Sequence, residues 1–136
     1  MKREIKFRGK RLDNGEWVYG YFYTIQEIEH YILQPCALGV LHTEVIPETV
    51  GQFTGLFDKN GKEIYEGDII SVNGKYPKLV KYIDDYACFC LANITDLNKK
   101  WISPWQQVSS SWWNDFKREI RVIGNIYDNP DLIKEE

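Results

Sequence analysis

The alternation of apolar and polar positions along the chain predicts short β-strands joined by tight turns. Residues 5–8 alternate between an apolar and a basic side chain, which is the period of a strand with one buried face. A second strand over residues 16–22 follows Asn14-Gly15, one of the strongest short-range signals for a hairpin turn. We therefore expect an antiparallel hairpin in this part of the chain.

The most strongly patterned stretch, residues 52–72, predicts a second hairpin. Its strands, residues 53–57 and 64–65, flank a turn that carries Asp58 and Gly61. Asp58 is expected to fix the turn by accepting hydrogen bonds from nearby backbone N–H groups, and Gly61 to supply a positive φ. This pattern is a strong signal for architecture and a weak one for function.

A sharp corner is expected directly after this hairpin, at Glu66, Gly67 and Asp68. Gly67 is the expected pivot, because glycine adopts unusual backbone angles without a steric penalty. The carboxylate of Asp68 is expected to accept backbone N–H groups that the corner leaves unpaired. A further strand over residues 69–72 follows.

Between the two hairpins the pattern is less regular. Residues 24–28 are compatible with a short helix capped by Thr24. A strand over residues 31–33 is expected to end before Pro35, and residues 36–42 are expected to form a loop. A short strand and one helical turn are expected next, over residues 43–46 and 47–50.

In the second half of the chain, Asn73-Gly74 predicts another tight turn. Residues 105–116 are compatible with a mobile loop or with a short helix. Further strands are expected over residues 76–83, 86–91 and 119–127. Strands at such short intervals predict one mostly-β domain over residues 1–136, with antiparallel hairpins in a barrel-like arrangement and a few short helices.

The charge and the cysteine content of the chain limit the classes of protein to which it can belong. The net charge of −3 disfavours a general nucleic-acid binder, yet residues 2–11 carry six positive charges against Glu4 alone. Three cysteines without a disulfide spacing favour a reducing compartment. No apolar run approaches the roughly 18 residues of a membrane span, and the charged start does not resemble a secretory signal. We expect a cytoplasmic protein that does not enter membranes.

The acidic side chains of the central stretch suggest two roles. Asp58, Glu63, Glu66 and Asp68 together resemble the carboxylates of a hydrolase or of a Mg²⁺ site. The alternative is structural, with Asp58 fixing the turn and the others solvating the corner. The structural role is favoured, because no metal-binding sequence pattern accompanies these residues, and no metal or other cofactor is expected.

The cysteines offer two weaker candidates. Cys88 and Cys90 would share one face of a strand, as a metal-binding pair does, but a buried hydrophobic role is the simpler interpretation. Cys36 and His42 are a conceivable nucleophile and base, although their spacing matches no cysteine hydrolase and no orienting partner is evident. We therefore assign no catalytic residue from the sequence.

Two groups of residues are candidates for binding. The basic arm, residues 2–11, precedes Trp17 and two tyrosines, so it can grip a phosphate backbone while bases stack on the rings. The alternative, which we favour, is a strand edge protected from aggregation by its basic residues. The arm's candidate nucleic-acid residues are Lys6, Arg8, Lys10 and Arg11, and the candidate interface residues are Trp105, Trp112 and Trp113.

Three segments, residues 5–20, 48–70 and 122–130, together resemble the YopX family of bacteriophage and prophage proteins. The resemblance brackets most of the chain but leaves out residues 24–46 and 84–117. It implies a small, mostly-β, phage-encoded protein that is oligomeric and lies in the cytoplasm of the host bacterium. It transfers no catalytic residues.

The expected function is therefore binding without catalysis. No phosphate-binding loop, dinucleotide-binding fingerprint or hydrolase nucleophile motif is present in the sequence. We expect a protein-interaction module that associates with itself and with a host or phage protein. The alternatives are a single-stranded nucleic-acid binder that uses the basic arm and, with less support, a hydrolase.

Overall fold

The computed structural model describes residues 4–115 and 117–133, so Lys2 and Arg3 of the basic arm lie outside the described residues. The chain divides into two compact units, Met1–Gly55 and Leu56–Glu136. The expectation that residues 1–136 form one domain stays a prediction.

The first unit is an antiparallel sheet whose strands follow the order β4-β3-β2-β1-β5. Its buried core consists of Val18, Ile32 and Val45, which are apolar residues on one face of the sheet. A 3₁₀ turn at Pro47–Thr49 agrees with the helical turn expected over residues 47–50. The strands are β1 Phe7–Lys10, β2 Trp17–Ile25, β3 Glu29–Cys36, β4 Gly39–Glu44 and β5 Gly51–Phe57, the last of which continues into the second unit.

Two expectations for this unit are wrong. No helix forms over residues 24–28, because Gln26 and Glu27 both adopt positive φ, 53° and 58°, and make a tight turn between β2 and β3. Residues 36–42 are not a loop, because β3 continues past Pro35 to Cys36 and pairs with β4. Neither turn carries the Asn-Gly signature that marked the other hairpins.

The second unit contains the turn and the second strand of the central hairpin and a five-stranded antiparallel sheet of order β10-β9-β8-β7-β11. One buried cluster contains Ile64, Ile70, Val80, Leu91 and Ile120, and a second contains Ile69, Leu79 and Ile94. The strands are β6 Glu63–Tyr65, β7 Asp68–Val72, β8 Lys75–Ile83, β9 Cys88–Asn93, β10 Trp105–Gln107 and β11 Ile120–Asn125. One helical turn, α1, covers Ser110–Trp113, and 3₁₀ turns cover Asp84–Tyr86, Ile94–Asp96 and Pro130–Ile133.

The predicted fold class, mostly β with antiparallel strands and a few short helices, is confirmed. The barrel-like arrangement is not confirmed, because strand pairing within residues 4–115 and 117–133 closes neither sheet into a ring. Of the two alternatives for residues 105–116, the helical one holds, within the described residues 105–115, only for the single turn α1.

None of the helices in the described part of the chain is long and apolar enough to cross a membrane.

Candidate interaction sites

The turn of the central hairpin is organised by one buried carboxylate, Asp58. Its Oδ1 accepts hydrogen bonds from the backbone N–H groups of Asn60 and Lys62, at 2.8 Å and 2.9 Å. Its Oδ2 accepts a third, from the N–H of Val122 in β11, at 3.0 Å. Gly61 closes the turn with a φ of +80°, as the sequence predicts. Asp58 therefore holds the turn against β11.

The corner that follows has the expected backbone geometry. Gly67 adopts a φ of +95°, a region that an L side chain enters only with strain. Asp68 is 1% exposed, and its carboxylate accepts the N–H of Tyr65 at 2.8 Å. Glu66 accepts the N–H of Tyr82 at 3.1 Å. The acidic side chains of the corner thus bind backbone groups of their own unit.

The carboxylates of the central stretch do not form a metal-ligand cluster among the described residues, where no three His, Cys, Asp or Glu side chains are arranged to hold an ion. Glu63, the remaining member of the set, accepts a hydrogen bond from the hydroxyl of Tyr65 at 3.1 Å. The contacts of these residues support their structural role.

Residues 7–10 of the basic arm form β1, which is an interior strand and not the strand edge that the sequence predicts. β1 pairs with β2 on one side and with β5 on the other. The protection of an exposed edge is therefore not the reason for its charges. Its basic side chains instead alternate with Phe7 and Gly9, which face the core side of the sheet.

Each of the four candidate nucleic-acid residues has an intramolecular contact. Lys6 pairs with Glu4 at 2.8 Å, and Lys10 lies 5.4 Å from the ring centroid of Trp17. Arg8 is only 4% exposed, with its guanidinium carbon 4.4 Å from the same ring. Arg11 donates two hydrogen bonds to Asp13, at 2.9 Å and 2.8 Å. That pairing raises the pKa of Arg11 and lowers the pKa of Asp13.

Aromatic side chains of β2 lie on the same face of the first unit as the basic side chains of β1. Trp17, Tyr19, Tyr21 and Tyr23 occupy alternate positions of β2 and therefore share a face. Tyr23 stacks on Tyr31 of β3, with ring centroids 5.2 Å apart and planes 13° from parallel. This aromatic row lies next to the cations of the basic arm. Tyr19 and Tyr21 are its exposed members.

His42 of β4 borders this aromatic row, because its Nδ1 lies 2.6 Å from the hydroxyl of Tyr23. His42 does not lie next to Cys36. The register pairs His42 with Leu33, three positions before Cys36 on β3, which is roughly 10 Å along the strand. The proposed nucleophile and base therefore do not meet.

The other two cysteines share a face of β9, as expected, with their sulfur atoms 3.8 Å apart. Cys90 is buried and Cys88 is half-buried. Burial and the contact with Cys88 raise the pKa of Cys90 to about 11. A thiol of that pKa is a poor nucleophile at neutral pH.

The three tryptophans expected at an interface contribute to the cores. Trp105 packs against the cluster of Ile69, and Trp112 and Trp113 pack against the cluster of Ile64. All three side chains are half-buried. The tryptophan most available for contact is Trp101, which is 94% exposed and was not among the candidates.

A surface that sequence reasoning missed is the edge strand β4, which lies at the end of its sheet and, among the described strands, pairs only with β3. Its apolar residues are open to solvent: Val40 and Leu41 are each 52% exposed, and Leu38 in the preceding turn is 100% exposed. A groove of about 440 Å³ runs beside it, lined by residues 11–13 and 41–44. The missed signal is the run of uncharged residues 37–43.

The two end strands of the five-stranded sheet differ from β4. The backbone of β11 is bonded on its outer side, where Val122 donates to Asp58 and Ile120 accepts from the N–H of Lys59 at 2.7 Å. The other end strand, β10, is three residues long. Native proteins commonly protect sheet edges by shortness, by covering or by charge, whereas β4 has six residues and none of them is Lys, Arg or Pro.

Comparison with known proteins agrees with the resemblance. The family described as YopX protein matches residues 6–134. The fold is similar to the crystal structure of protein EF1440 from Enterococcus faecalis, with a TM-score of 0.57 and 20% sequence identity, covering 96% of this chain and 99% of that one. No curated protein sequence matches the chain significantly.

Proposed function

The chain belongs to the YopX protein family, and we propose that it works without catalysis, as a protein-interaction module that associates with further copies of itself. The observation that carries the proposal is the edge of β4 around Val40 and His42, which no described strand covers. An edge strand offers backbone donors and acceptors to another strand, and exposed apolar side chains beside them favour association. The proposal includes a phage-encoded origin and a place in the bacterial cytoplasm.

The aromatic row on β2 favours a second candidate, the single-stranded nucleic-acid binder. Exposed tyrosines offer stacking platforms for bases, and Lys10 lies 5.4 Å from the ring centroid of Trp17 in the same row. This candidate ranks second, because Arg8 is buried and Arg11 is engaged by Asp13, so much of the arm's charge is neutralised or desolvated within the protein. The hydrolase has no comparable support, since Asp58, Glu66 and Asp68 accept backbone N–H groups and Glu63 accepts a side-chain hydroxyl.

Sedimentation equilibrium over a concentration range from 1 to 100 μM, roughly, tests the proposal. We expect an average mass that rises with concentration above the 16.1 kDa of one chain, since a single edge strand gives a modest affinity. A parallel pull-down from bacterial lysate, with and without nuclease, separates protein partners from nucleic acid. A constant monomer mass, together with retention of nucleic acid that nuclease abolishes, would contradict the proposal and support the second candidate.

A further inference from the structure

The backbone of β4 alternates between groups that face β3 and groups that face the open edge. Val45 donates its N–H to the carbonyl of His30 on the β3 side, at 2.9 Å. Glu44, the residue before it, accepts on the opposite side, from the N–H of Leu12 at 3.0 Å. By the two-residue period of a strand, the N–H and C=O groups of Val40 and His42 point to the open edge.

One end of this edge is already occupied. The backbone of Arg11 bridges to Val45, and the carbonyl of Glu44 is taken by Leu12. An added strand therefore bonds to β4 through Val40 and His42 and cannot extend its ladder through Glu44.

We propose that the occupant of this edge is β4 of a second copy of the chain, paired antiparallel about a two-fold axis at Leu41. This inference rests on the proposed function and names its partner and register. In this register Val40 of each copy lies opposite His42 of the other, and the two residues exchange both of their backbone hydrogen bonds. The two Leu41 side chains face each other across the axis as a non-hydrogen-bonded pair.

Neighbouring registers are poorer. Shifting the axis to His42 places Val40 opposite Glu44, whose carbonyl is already bonded to Leu12. Shifting it to Val40 moves His42 opposite Leu38, in the turn outside the strand. The axis at Leu41 is the one in which both outward-facing residues of both strands are paired.

Charge and side-chain chemistry also favour self-pairing. Residues 38–43 carry no Asp, Glu, Lys or Arg, so two copies of the edge meet without repulsion between like charges. The half-exposed Leu41 side chains cover each other on contact, and Val40 covers the ring of His42. A two-fold contact of this kind is closed, so it gives a dimer and not a fibre.

Cysteine substitutions determine the register directly. In a Cys36→Ser background, Leu41→Cys is expected to form an intermolecular disulfide under mild oxidation, because Cα atoms of non-hydrogen-bonded partners lie about 4.5 Å apart. Val40→Cys is the matched control, with the same exposure but a self-distance of roughly 8 Å, beyond the range of a disulfide. Cross-linking of Val40→Cys or His42→Cys, without that of Leu41→Cys, would overturn the register.

Charge substitutions give an independent test that does not rely on a disulfide. Leu41→Lys and Leu41→Glu should each sediment as monomers, because the axis places two like charges side by side. A 1:1 mixture of the two should restore the dimer, and unchanged circular dichroism and melting temperature of each variant exclude unfolding.

The outcomes separate this inference from the proposed function. A wild-type oligomer that survives Leu41→Lys would overturn the pairing through β4 while leaving self-association in place. A purified chain that stays monomeric and does not cross-link, yet loses a protein partner on Leu41→Lys, would show that another protein supplies the added strand and would also overturn it. A chain that is monomeric and captures no protein contradicts the proposed function itself.

Discussion

At the scale of single residues, the central motif is the part that the sequence predicts best. Asp58 and Gly61 occupy the turn in the roles assigned to them, and Gly67 has the positive φ that the break between two strands requires. Each of these roles depends on local chemistry, either a short side chain that accepts hydrogen bonds or the absence of a Cβ. The residue type alone therefore predicts it.

Gly67→Ala should lower the free energy of unfolding by about 1–3 kcal/mol, because a Cβ at a φ of +95° is strained. Urea unfolding monitored by circular dichroism measures the change. The reciprocal control is Ala87→Gly, at a φ of 52°, where glycine relieves strain and the stability should change little. An unchanged midpoint for Gly67→Ala would contradict the role of this residue as the pivot.

Asp68→Asn should cost about 1 kcal/mol, since the amide keeps one acceptor for the N–H of Tyr65 but loses the charge of the buried carboxylate. Thermal melts with and without Mg²⁺ or Mn²⁺ distinguish this role from metal binding. The exposed Asp85→Asn is the control for charge removal at the surface. If metal raises the melting temperature of the wild type but not of Asp68→Asn, the corner is a metal site.

Thiol reactivity should follow exposure and pKa. At pH 8 the pKa of about 11 leaves roughly 0.1% of Cys90 as thiolate, so a thiol reagent should modify the exposed Cys36 first. The rate at Cys90 should rise as the pH approaches 11. Mass spectrometry of peptides after timed alkylation measures each site, and Cys36→Ser should remove the fast phase. Fast alkylation of the peptide that carries Cys90 would contradict the burial of this residue.

At the scale of elements, strands with a clear alternation and a glycine-containing turn are predictable, and β4 is not. Gln26 and Glu27 form a tight turn because the strands on either side pair, although neither residue favours positive φ by itself. Pro35 lies opposite Val40, whose backbone groups face the open edge, so the missing N–H of proline costs no hydrogen bond to β4. Pairing between strands thus overrides local preference at both places.

The basic arm can be tested as an element by replacing two of its half-buried lysines, Lys6 and Lys10, separately from the buried Arg8. Lys6→Ala with Lys10→Ala should leave the fold intact, whereas Arg8→Ala should destabilise it, because the buried guanidinium packs on Trp17. If the arm binds single-stranded DNA, fluorescence anisotropy should show an affinity that falls steeply with salt and is lost in the double variant. Lys99→Ala with Lys100→Ala is the control for the removal of two exposed charges. No binding at low salt would remove this candidate.

At the scale of the whole molecule, the prediction of one domain can be examined through the two cores. Ile32 lies in the core of the first unit and Ile64 in that of the second, and both are fully buried. Ile→Ala at either position should cost about 2–5 kcal/mol. If residues 1–136 unfold as one domain, calorimetry should show a single transition that both variants lower. Two transitions, each moved by only one variant, would contradict the prediction of a single domain.

The contact between Asp58 and Val122 has a consequence for biosynthesis. The two residues are 64 positions apart in the sequence. At translation speeds of about 5–20 residues per second, Val122 is therefore synthesised roughly 3–13 s after Asp58. The hairpins β1–β2, β2–β3 and β3–β4 join strands that are neighbours in the sequence, and they need no residue beyond Glu44. On a polysome, nascent chains would therefore expose their β4 edges to one another before β11 exists. If copies pair through β4 as proposed, their assembly is expected to begin during translation.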